Sequence, residues 1–349
     1  MDVKQQREKK MQDQKRVTIH DVSRRAGVSI ATVSRVLSNY EAVSDETREL
    51  VLSAVKELKY QVNRTASNLR KGTNTKIGLL ITDIQNPFFG SLTRGIEKIT
   101  TNLDYTLLLA NSDENPEQEQ KLIAQLLAEE IAGLIIVPTS DDCQSYEDLK
   151  SSGVPFVIVD RLIKNCQHVD YVKVDNYNGA KEATDYLLRL GHKDIAYIGG
   201  LPYLSVMQER LQGYHDAITQ AGYEIDENLI KTGDNRQHGG YQSMMALLSA
   251  KKVPSAVLIA NNLMTLGGLQ AIHEMDMQIP AQISLIGFDD MDWAACLQPP
   301  LSVVAQPAFE IGELAAKTLI NRISTPDIAV QQTILSTKLV LRASCQNAD

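Results

Sequence analysis

Polar side chains that could bind a polyol recur at the ends of apolar runs after about residue 76. Asn86, Asp160 and Asn261 each follow a short apolar stretch of the kind that predicts a β-strand. Neighbouring hydroxyl groups need bidentate partners, which carboxylates, amides and guanidinia supply, and aromatic rings cover the C–H face of a sugar. Any one of these residues could be a helix cap or half of an ion pair, but six such placements together predict a polyol site. They comprise Asn86 with Phe88 and Phe89, Asp160 with Arg161, Arg210, Asn261, Asp289 and Gln306.

A second set of candidate residues lies near the N-terminus, in the stretch VTIHDVSRRAGVSIATVSRVLS at 17–38. Thr18 and Asp21 form a capping-box variant that opens one short helix, and Ser29 caps a second. Gly27 allows the tight turn of a helix-turn-helix, whose second helix enters a DNA major groove. An ordinary helical hairpin has the same pattern. Short polar side chains on the second helix favour DNA binding, because a solvated helix more often carries Glu and Lys.

Hydrophobic periodicity predicts the elements that position these residues. A third helix from Ser44 to about Leu58 completes a three-helix unit, and 63–73 form a linker or a helix too short to be stable alone. From Lys76 onward short apolar strands alternate with amphipathic helices, which is typical of parallel sheets covered on both faces. Nine such strands fit two doubly wound sheets better than one, and a further strand is predicted at 333–341.

The predicted organisation is therefore an α-helical N-terminal unit followed by an α/β core of two subdomains. Ligands bind beyond the carboxyl ends of parallel strands, so the cleft between the subdomains is the expected site. The predicted segments are a disordered arm at 1–16, with Met11 as a possible start, a helix-turn-helix domain at 17–62, a hinge at 63–73, a core at 74–342 and a tail at 343–349. Within the core we predict one subdomain at about 74–161 and 290–323, and the other at about 162–289 and 324–342.

Charge and composition limit the class of protein. The first 72 residues carry 15 Lys and Arg against 9 Asp and Glu, whereas the whole chain has a net charge of −8, so a basic part precedes an acidic remainder. The basic part suits contact with phosphate. Four widely spaced cysteines favour neither disulfides nor zinc and fit a reducing compartment. Neither a membrane span of roughly 18 apolar residues nor the apolar part of a signal peptide is present, so we expect a cytoplasmic protein without a membrane partner.

Sequence motifs of enzyme chemistry are missing. Neither GxxxxGK[ST] nor GxSxG occurs, and the glycine pair Gly199-Gly200 that follows a strand is interrupted by Pro202 before it could complete GxGxxG. Adjacent acids such as Asp289 and Asp290 usually point apart. We therefore expect no catalytic residues, no cofactor and no metal site, although the α/β core would suit an enzyme.

The chain resembles the LacI/GalR family of bacterial repressors over about 17–342. The motif V-T-I-x-D-V-x-x-x-A-G-V-S-x-x-T-V-S-R-V-L carries the resemblance, and Ser23 departs from it where the family usually has alanine. This implies that Ile30, Ala31 and Arg35 read bases from a recognition helix at about 30–37. Since the first two can only contact thymine methyls or exclude other groups, Arg35 is the expected guanine reader.

Further DNA contacts follow from the same resemblance. Ala66 and Leu69 match a hinge helix that enters the minor groove in pairs, with the leucines wedged into a base step, and Arg70 is expected to add a contact. Phosphate or groove contacts are implied for Thr18, Ser29, Thr32, Ser34, Ser44, Thr47, Tyr60 and Asn63.

The core is similar to periplasmic sugar-binding proteins and ribose-type repressors, and the polyol-site residues match their pocket. Asn235 and Asn262 depart from that pattern, where an aromatic residue and an aspartate are common, so the sugar stays open; Asn235 is still counted among the effector contacts. The resemblance implies a homodimer that represses sugar-utilisation genes from a palindromic operator and responds to ribose or a similar small carbohydrate. Two alternatives remain: a global catabolite-control regulator with a phosphoprotein co-effector, and a sugar-transport binding protein, which the basic N-terminal unit disfavours.

Overall fold

The computed structural model describes residues 17–37, 43–60, 74–166 and 168–348. The chain divides into two compact units, the head up to Asn74 and the core from Thr75. Among the described helices, none is both long and apolar enough to cross a membrane.

Three helices form the described head: α1 (Ile19–Ala26), α2 (Ile30–Leu37) and α3 (Asp45–Glu57). Val22, Val33 and Val51, one from each helix, are fully buried and form the centre of a small apolar core. Burial of such side chains contributes roughly 1.5–3 kcal/mol each, which explains how short helices are held together. The three-helix prediction is confirmed.

The turn between α1 and α2 is fixed by a glycine and a serine. Gly27 adopts a left-handed backbone with φ of 69°, as the predicted tight turn requires. The Ser23 hydroxyl donates to the Val28 carbonyl over 2.6 Å, so it ties the last turn of α1 to the residue that follows the glycine. An alanine at position 23 could not make this bond.

The N-subdomain of the core contains a six-stranded parallel sheet. Its strands are β1 (Lys76–Ile81), β2 (Thr106–Asn111), β3 (Gly133–Ile136), β4 (Phe156–Val159), β5 (Asp170–Val174) and β11 (Gln332–Leu335), in the order β11-β5-β4-β3-β1-β2. Four helices accompany them: α4 (Pro87–Asn102), α5 (Pro116–Ala128), α6 (Glu147–Ser151) and α11 (Ala308–Ser324). Apolar clusters on both faces of the sheet explain why its central strands are nearly all apolar.

The C-subdomain repeats this plan. Its strands are β6 (Ile195–Gly199), β7 (Ile230–Thr232), β8 (Ala256–Ile259), β9 (Ser284–Phe288), β10 (Ser302–Ala305) and β12 (Lys338–Val340), in the order β12-β10-β9-β8-β6-β7. Only β12 pairs antiparallel among the assigned strands of this sheet. The helices are α7 (Asn176–Arg189), α8 (Ser205–Gln220), α9 (Gln237–Leu248) and α10 (Asn262–Glu274).

Two doubly wound sheets were predicted and are confirmed, but the predicted subdomain bounds are wrong at three strands. β5 and β11 belong to the N-subdomain sheet and β10 to the C-subdomain sheet, the reverse of the predicted division. The single strand predicted at 333–341 is in fact β11 and β12, which lie in different sheets, and the short edge strand β7 was not predicted. Strand composition does not reveal which sheet a strand joins, because all parallel core strands are similarly apolar.

Candidate DNA-contact face and effector cleft

A residue with a side-chain hydroxyl precedes the first turn of each of the three described helices of the head. The Ser29 hydroxyl accepts the Thr32 N–H over 3.1 Å at the start of α2, and Ser44 accepts from Thr47 at the start of α3. At α1, the Thr18 N–H donates to the Asp21 carboxylate over 2.9 Å. Helix N-termini attract phosphate through their backbone N–H groups and dipole, so these caps place three such termini on the head.

The second helix presents the predicted base-reading residues unequally. Ala31 and Arg35 are exposed, whereas Ile30 is half-buried. Tyr60 packs against the apolar core of the head, which gives it a structural contact in addition to its predicted one. The predicted contact residues Asn63, Ala66, Leu69 and Arg70 lie outside the described residues.

Five of the ten predicted effector-binding residues line one recess between the two subdomains of the core. The recess contains about 260 Å³ of space not occupied by protein atoms, part of it open to solvent. Asp83, Glu114 and Arg236 also line it and were not predicted; Asp83 follows β1 closely, so the strand-end rule could have found it. The five predicted lining residues are Asn86, Phe89, Arg161, Asn235 and Asn261.

Arg161 is held by a buried carboxylate on the N-subdomain side. Its two terminal nitrogens donate to the two oxygens of Glu114 over 2.7 and 2.6 Å, a bidentate pair. The Asp160 carboxylate lies 3.5 Å from Arg161 Nε. Burial alone would raise the pKa of Glu114, but the Arg161 guanidinium holds that pKa below its ordinary value. Glu114 is therefore charged and fixes the orientation of Arg161.

Arg210 of α8 is the buried arginine of the C-subdomain, as Arg161 is that of the N-subdomain. It donates from Nε to Asn176 Oδ1 over 2.8 Å and from a terminal nitrogen to the Ala260 carbonyl over 2.6 Å. Its guanidinium carbon lies 3.6 Å from the centre of the Phe288 ring, a cation–π stack. Burial lowers the pKa of Arg210, and the nearby Asp289 carboxylate opposes this shift.

Asp160 and Asp289 are buried carboxylates from opposite subdomains. Burial raises the pKa of each, and Arg161 and Arg210 respectively counter this effect most strongly. Gln306 Nε2 donates to Asp289 over 2.5 Å, while its own Oε1 is buried without a hydrogen-bond partner in the protein. The two acids thus lack part of the hydration that water would give them, and hydroxyl donors would restore it.

Several polar residues in and beside the cleft have a left-handed backbone, among them Glu114 with a φ of 56°. Asp160, Asn235 and Asp289 have φ values of 68°, 65° and 73°. This conformation is uncommon outside glycine, and Asn and Asp tolerate it best. Because backbone strain of this kind clusters at functional sites, its repetition around one cleft marks the cleft as more than a structural gap.

Asn235 has a buried amide with unsatisfied atoms. Only 6% of the residue is exposed, and neither Oδ1 nor Nδ2 has a hydrogen-bond partner in the protein. A Cβ added at Gly200 would lie 1.7 Å from Oδ1, so the amide rests directly on this glycine. Since a buried unpaired polar group costs about 1–3 kcal/mol, the amide is expected to be paired when the cleft is occupied.

Phe88 and Phe89 form one packed aromatic pair beside the recess. Phe88 and Phe89 are both buried, with ring centroids 5.2 Å apart in an edge-to-face arrangement. Phe89 lines the recess, and both rings belong to the apolar core of the N-subdomain. Asn86 caps their helix, since its Oδ1 accepts the Phe88 N–H over 3.0 Å.

Polar contacts cross from one subdomain to the other at several points, among them an ion pair between Lys173 of β5 and Glu209 of α8. The buried Asn262 donates from Nδ2 to Asn86 Oδ1 over 2.7 Å. At the rim, Arg236 pairs with Asp113 over 2.7 Å. The Leu162 N–H donates to the Ser205 hydroxyl over 2.8 Å. Any change in the opening of the cleft must alter these contacts.

A larger recess of about 790 Å³ lies at the opposite edge of the C-subdomain sheet, before β6, β8 and β9. Its buried His192 already has partners, with Nδ1 2.9 Å from the Ser255 hydroxyl and Nε2 3.0 Å from the Gln346 carbonyl. Volume alone therefore does not identify the ligand site; the cleft, in contrast, contains buried atoms of Asn235 and Arg161 that have no protein partner.

A helix-turn-helix head and an α/β core with a polar cleft define a transcription regulator with a ligand-binding core. Residues 18–63 match the bacterial regulatory proteins of the lacI family, and 74–345 match the periplasmic binding proteins and sugar binding domain of the LacI family. The chain therefore belongs to the LacI family, a non-enzymatic class of DNA-binding transcriptional repressors.

Individual relatives cover nearly the whole chain. The ribose operon repressor of Escherichia coli (strain K12) is 34% identical over 94% of this chain and 99% of its own, and catabolite control protein A of Priestia megaterium is 33% identical over 87% and 91%. A lac repressor dimer bound to operator and the anti-inducer ONPF superposes with a TM-score of 0.85 at 28% identity, covering 95% of this chain and 100% of that one. A LacI family regulator of Enterococcus faecium with bound ribose superposes with a TM-score of 0.72 at 29% identity, covering 78% and 100%.

Proposed function

We propose that this repressor controls sugar-utilisation genes and leaves a palindromic operator when ribose or a similar small carbohydrate binds the cleft. One observation carries the proposal: both subdomains contribute buried charged groups, Asp160 with Arg161 after β4 on one side, and Asp289 after β9 with Arg210 of α8 on the other. Such groups need hydrogen-bonding partners that also fill an enclosed space, and a polyol supplies both. The ribose operon repressor and the ribose-bound regulator support ribose as the first ligand to test.

The effector contacts come from both sides of the cleft. Asp160 and Asp289 are suited to accept from ligand hydroxyls, Asn235 to donate and accept, and Phe89 to cover the ring. Arg161 and Arg210 are oriented by their protein partners and present their remaining N–H groups. We assign effector binding to Asn86, Phe88, Phe89, Asp160, Arg161, Arg210, Asn235, Asn261, Asp289 and Gln306.

The head supplies DNA recognition. Arg35 is proposed to read guanine from the major groove, while the hydroxyl-capped helix starts position the head on phosphates. We also propose that the chain is a homodimer, because twofold symmetry then matches a palindromic operator, and that it acts in the bacterial cytoplasm at the nucleoid. The hinge residues Leu69 and Arg70 are proposed to contact the minor groove.

The cleft is coupled to DNA binding through the two subdomains. A ligand that bridges Asp160 and Asp289 favours one degree of cleft closure, and the contacts of Asn262 with Asn86 and of Arg236 with Asp113 must adjust to it. Coupling between two sites is typically about 1–3 kcal/mol, or roughly 5- to 150-fold in affinity.

Titration of the full chain with sugars, alone and on operator DNA, tests the proposal. We expect calorimetric binding of ribose or another free sugar and a lower operator affinity in its presence. The near-equal identity to a catabolite control protein makes a phosphoprotein co-effector the second candidate. If phosphorylated carrier protein raises operator affinity and no sugar gives any heat, that candidate replaces the sugar proposal.

A further inference from the structure

The buried polar atoms of the cleft that lack protein partners include hydrogen-bond acceptors as well as donors. Asn235 Oδ1 and Gln306 Oε1 are buried acceptors without protein partners, and Asp160 and Asp289 are buried carboxylates. Asn235 Nδ2 and Arg161 Nε are buried donors without protein partners. A hydroxyl group, which both donates and accepts, can pair with either kind of atom, whereas a group that only accepts leaves the two oxygens unpaired.

The cations of the cleft already have anionic or carbonyl partners. Arg161 donates to both oxygens of Glu114, Arg236 pairs with Asp113, and Arg210 donates to Asn176 and to a backbone carbonyl. The charged side chains at and beside the recess include five carboxylates, of Asp83, Asp113, Glu114, Asp160 and Asp289, against three guanidinia, of Arg161, Arg210 and Arg236. A phosphate would enter a site that is already acidic, and it would have to displace an existing carboxylate partner to gain a bidentate arginine.

Asn235 is the unsatisfied residue whose position is most tightly determined. Its backbone is left-handed, and its Oδ1 sits against Gly200 where any side chain would collide. Its amide presents a donor beside an acceptor, which is the complement of a hydroxyl group, because a hydroxyl both accepts and donates. A phosphate oxygen without a proton can use only the donor.

We propose that Asn235, seated on Gly200, selects the effector by pairing with a hydroxyl, so that the cleft takes an uncharged, unphosphorylated carbohydrate and rejects its phosphate ester. This inference rests on the proposed function, since it specifies the chemical class of the sugar. Buried polar groups tuned to a hydroxyl discriminate strongly against a ligand that leaves them unpaired.

Calorimetry on the full chain tests the selection with matched pairs of ligands: D-ribose and D-ribose 5-phosphate, D-glucose and D-glucose 6-phosphate, and D-fructose and D-fructose 6-phosphate. We expect one free sugar to bind at least about 100-fold more tightly than its phosphate. A phosphate that binds as tightly as its free sugar would overturn the inference and leave the sugar-responsive function intact. Absence of heat with every ligand would overturn the proposed sugar effector itself.

Asn235→Asp isolates the role of the amide, because Asp keeps the shape and tolerates the left-handed backbone while it replaces the donor with a charge. We expect at least about a tenfold loss of affinity for the free sugar. Asn165→Asp is the matched control, since Asn165 has a φ of 58° and is exposed. Gly200→Ala should reproduce the loss by displacing an intact Asn235. Unchanged affinity in both Asn235→Asp and Gly200→Ala would show that Asn235 does not select the ligand.

Discussion

Asn262 Nδ2 lies 2.7 Å from Asn86 Oδ1 and joins the two subdomains by a buried hydrogen bond beside the cleft. Asn262 is only 1% exposed. A carboxylate there could not donate to Asn86, whose Oδ1 already accepts the Phe88 N–H. The bond therefore explains why an amide suits this chain at position 262.

Removal of this bond should weaken effector binding. Asn262→Ala eliminates one buried hydrogen bond between the subdomains, worth about 1 kcal/mol, so we expect roughly fivefold weaker sugar binding by calorimetry. Asn102→Ala, at the exposed end of α4, is the control and should leave affinity unchanged. Equal affinities for both variants would mean that the bond does not contribute to the ligand-binding arrangement.

The Ser23 bond should stabilise the helix-turn-helix. Ser23→Ala removes the hydroxyl that donates to the Val28 carbonyl over 2.6 Å, and we expect the head to lose about 1 kcal/mol of stability. Hydrogen exchange of the α1 and α2 amides measures this without requiring the core to unfold. Ser53→Ala, on the exposed face of α3, is the matched control. Identical exchange rates in the two variants would show that the turn does not need the serine.

Arg35 should carry sequence discrimination rather than general affinity. Arg35→Lys keeps the charge but loses the planar fork that binds guanine, so the operator should lose about 1–3 kcal/mol relative to a scrambled duplex. Fluorescence anisotropy on both duplexes measures the ratio. Arg189→Lys on the surface of the core is the control. A parallel loss on both duplexes would instead identify Arg35 as a phosphate contact.

Effector binding should weaken as the pH falls. Burial raises the pKa of Asp160 and Asp289 above the ordinary value of 3.8, and hydroxyl donors from a sugar favour the charged carboxylates. Binding therefore releases protons, and full affinity is present above the raised pKa values and is lost as pH falls through them. Calorimetry in buffers of different ionisation enthalpy counts the protons. Asp289→Asn should reduce proton release, whereas the exposed Asp276→Asn should not.

Most strand positions could be predicted from the sequence, because buried parallel strands are short apolar runs. Polar residues that directly follow those runs, such as Asn86 and Asn261, could be predicted as site residues for the same reason. The pairing of Arg161 with Glu114 could not be predicted, since loops after different strands bring the two residues together. The close contact between Gly200 and Asn235 could not be predicted either, because a close approach between loops leaves no periodic pattern in the sequence.

The assignment of each strand to one of the two subdomains could not be predicted from the sequence either. The strands β5, β10 and β11 have the composition of their neighbours, and only the crossings between the sheets decide where each belongs. Local sequence specifies that a strand forms; contacts distant in the chain specify its sheet.

The central claim is that a sugar in the cleft releases the head from DNA, and Asp289→Asn tests it most directly. Operator binding by the full chain is followed by fluorescence anisotropy while the sugar that binds the wild-type protein is added. We predict equal operator affinity for wild type and variant without sugar, release of the wild type and of the control Asp276→Asn by sugar, and no release of Asp289→Asn at the same concentration. Release of Asp289→Asn at the wild-type sugar concentration would contradict the account.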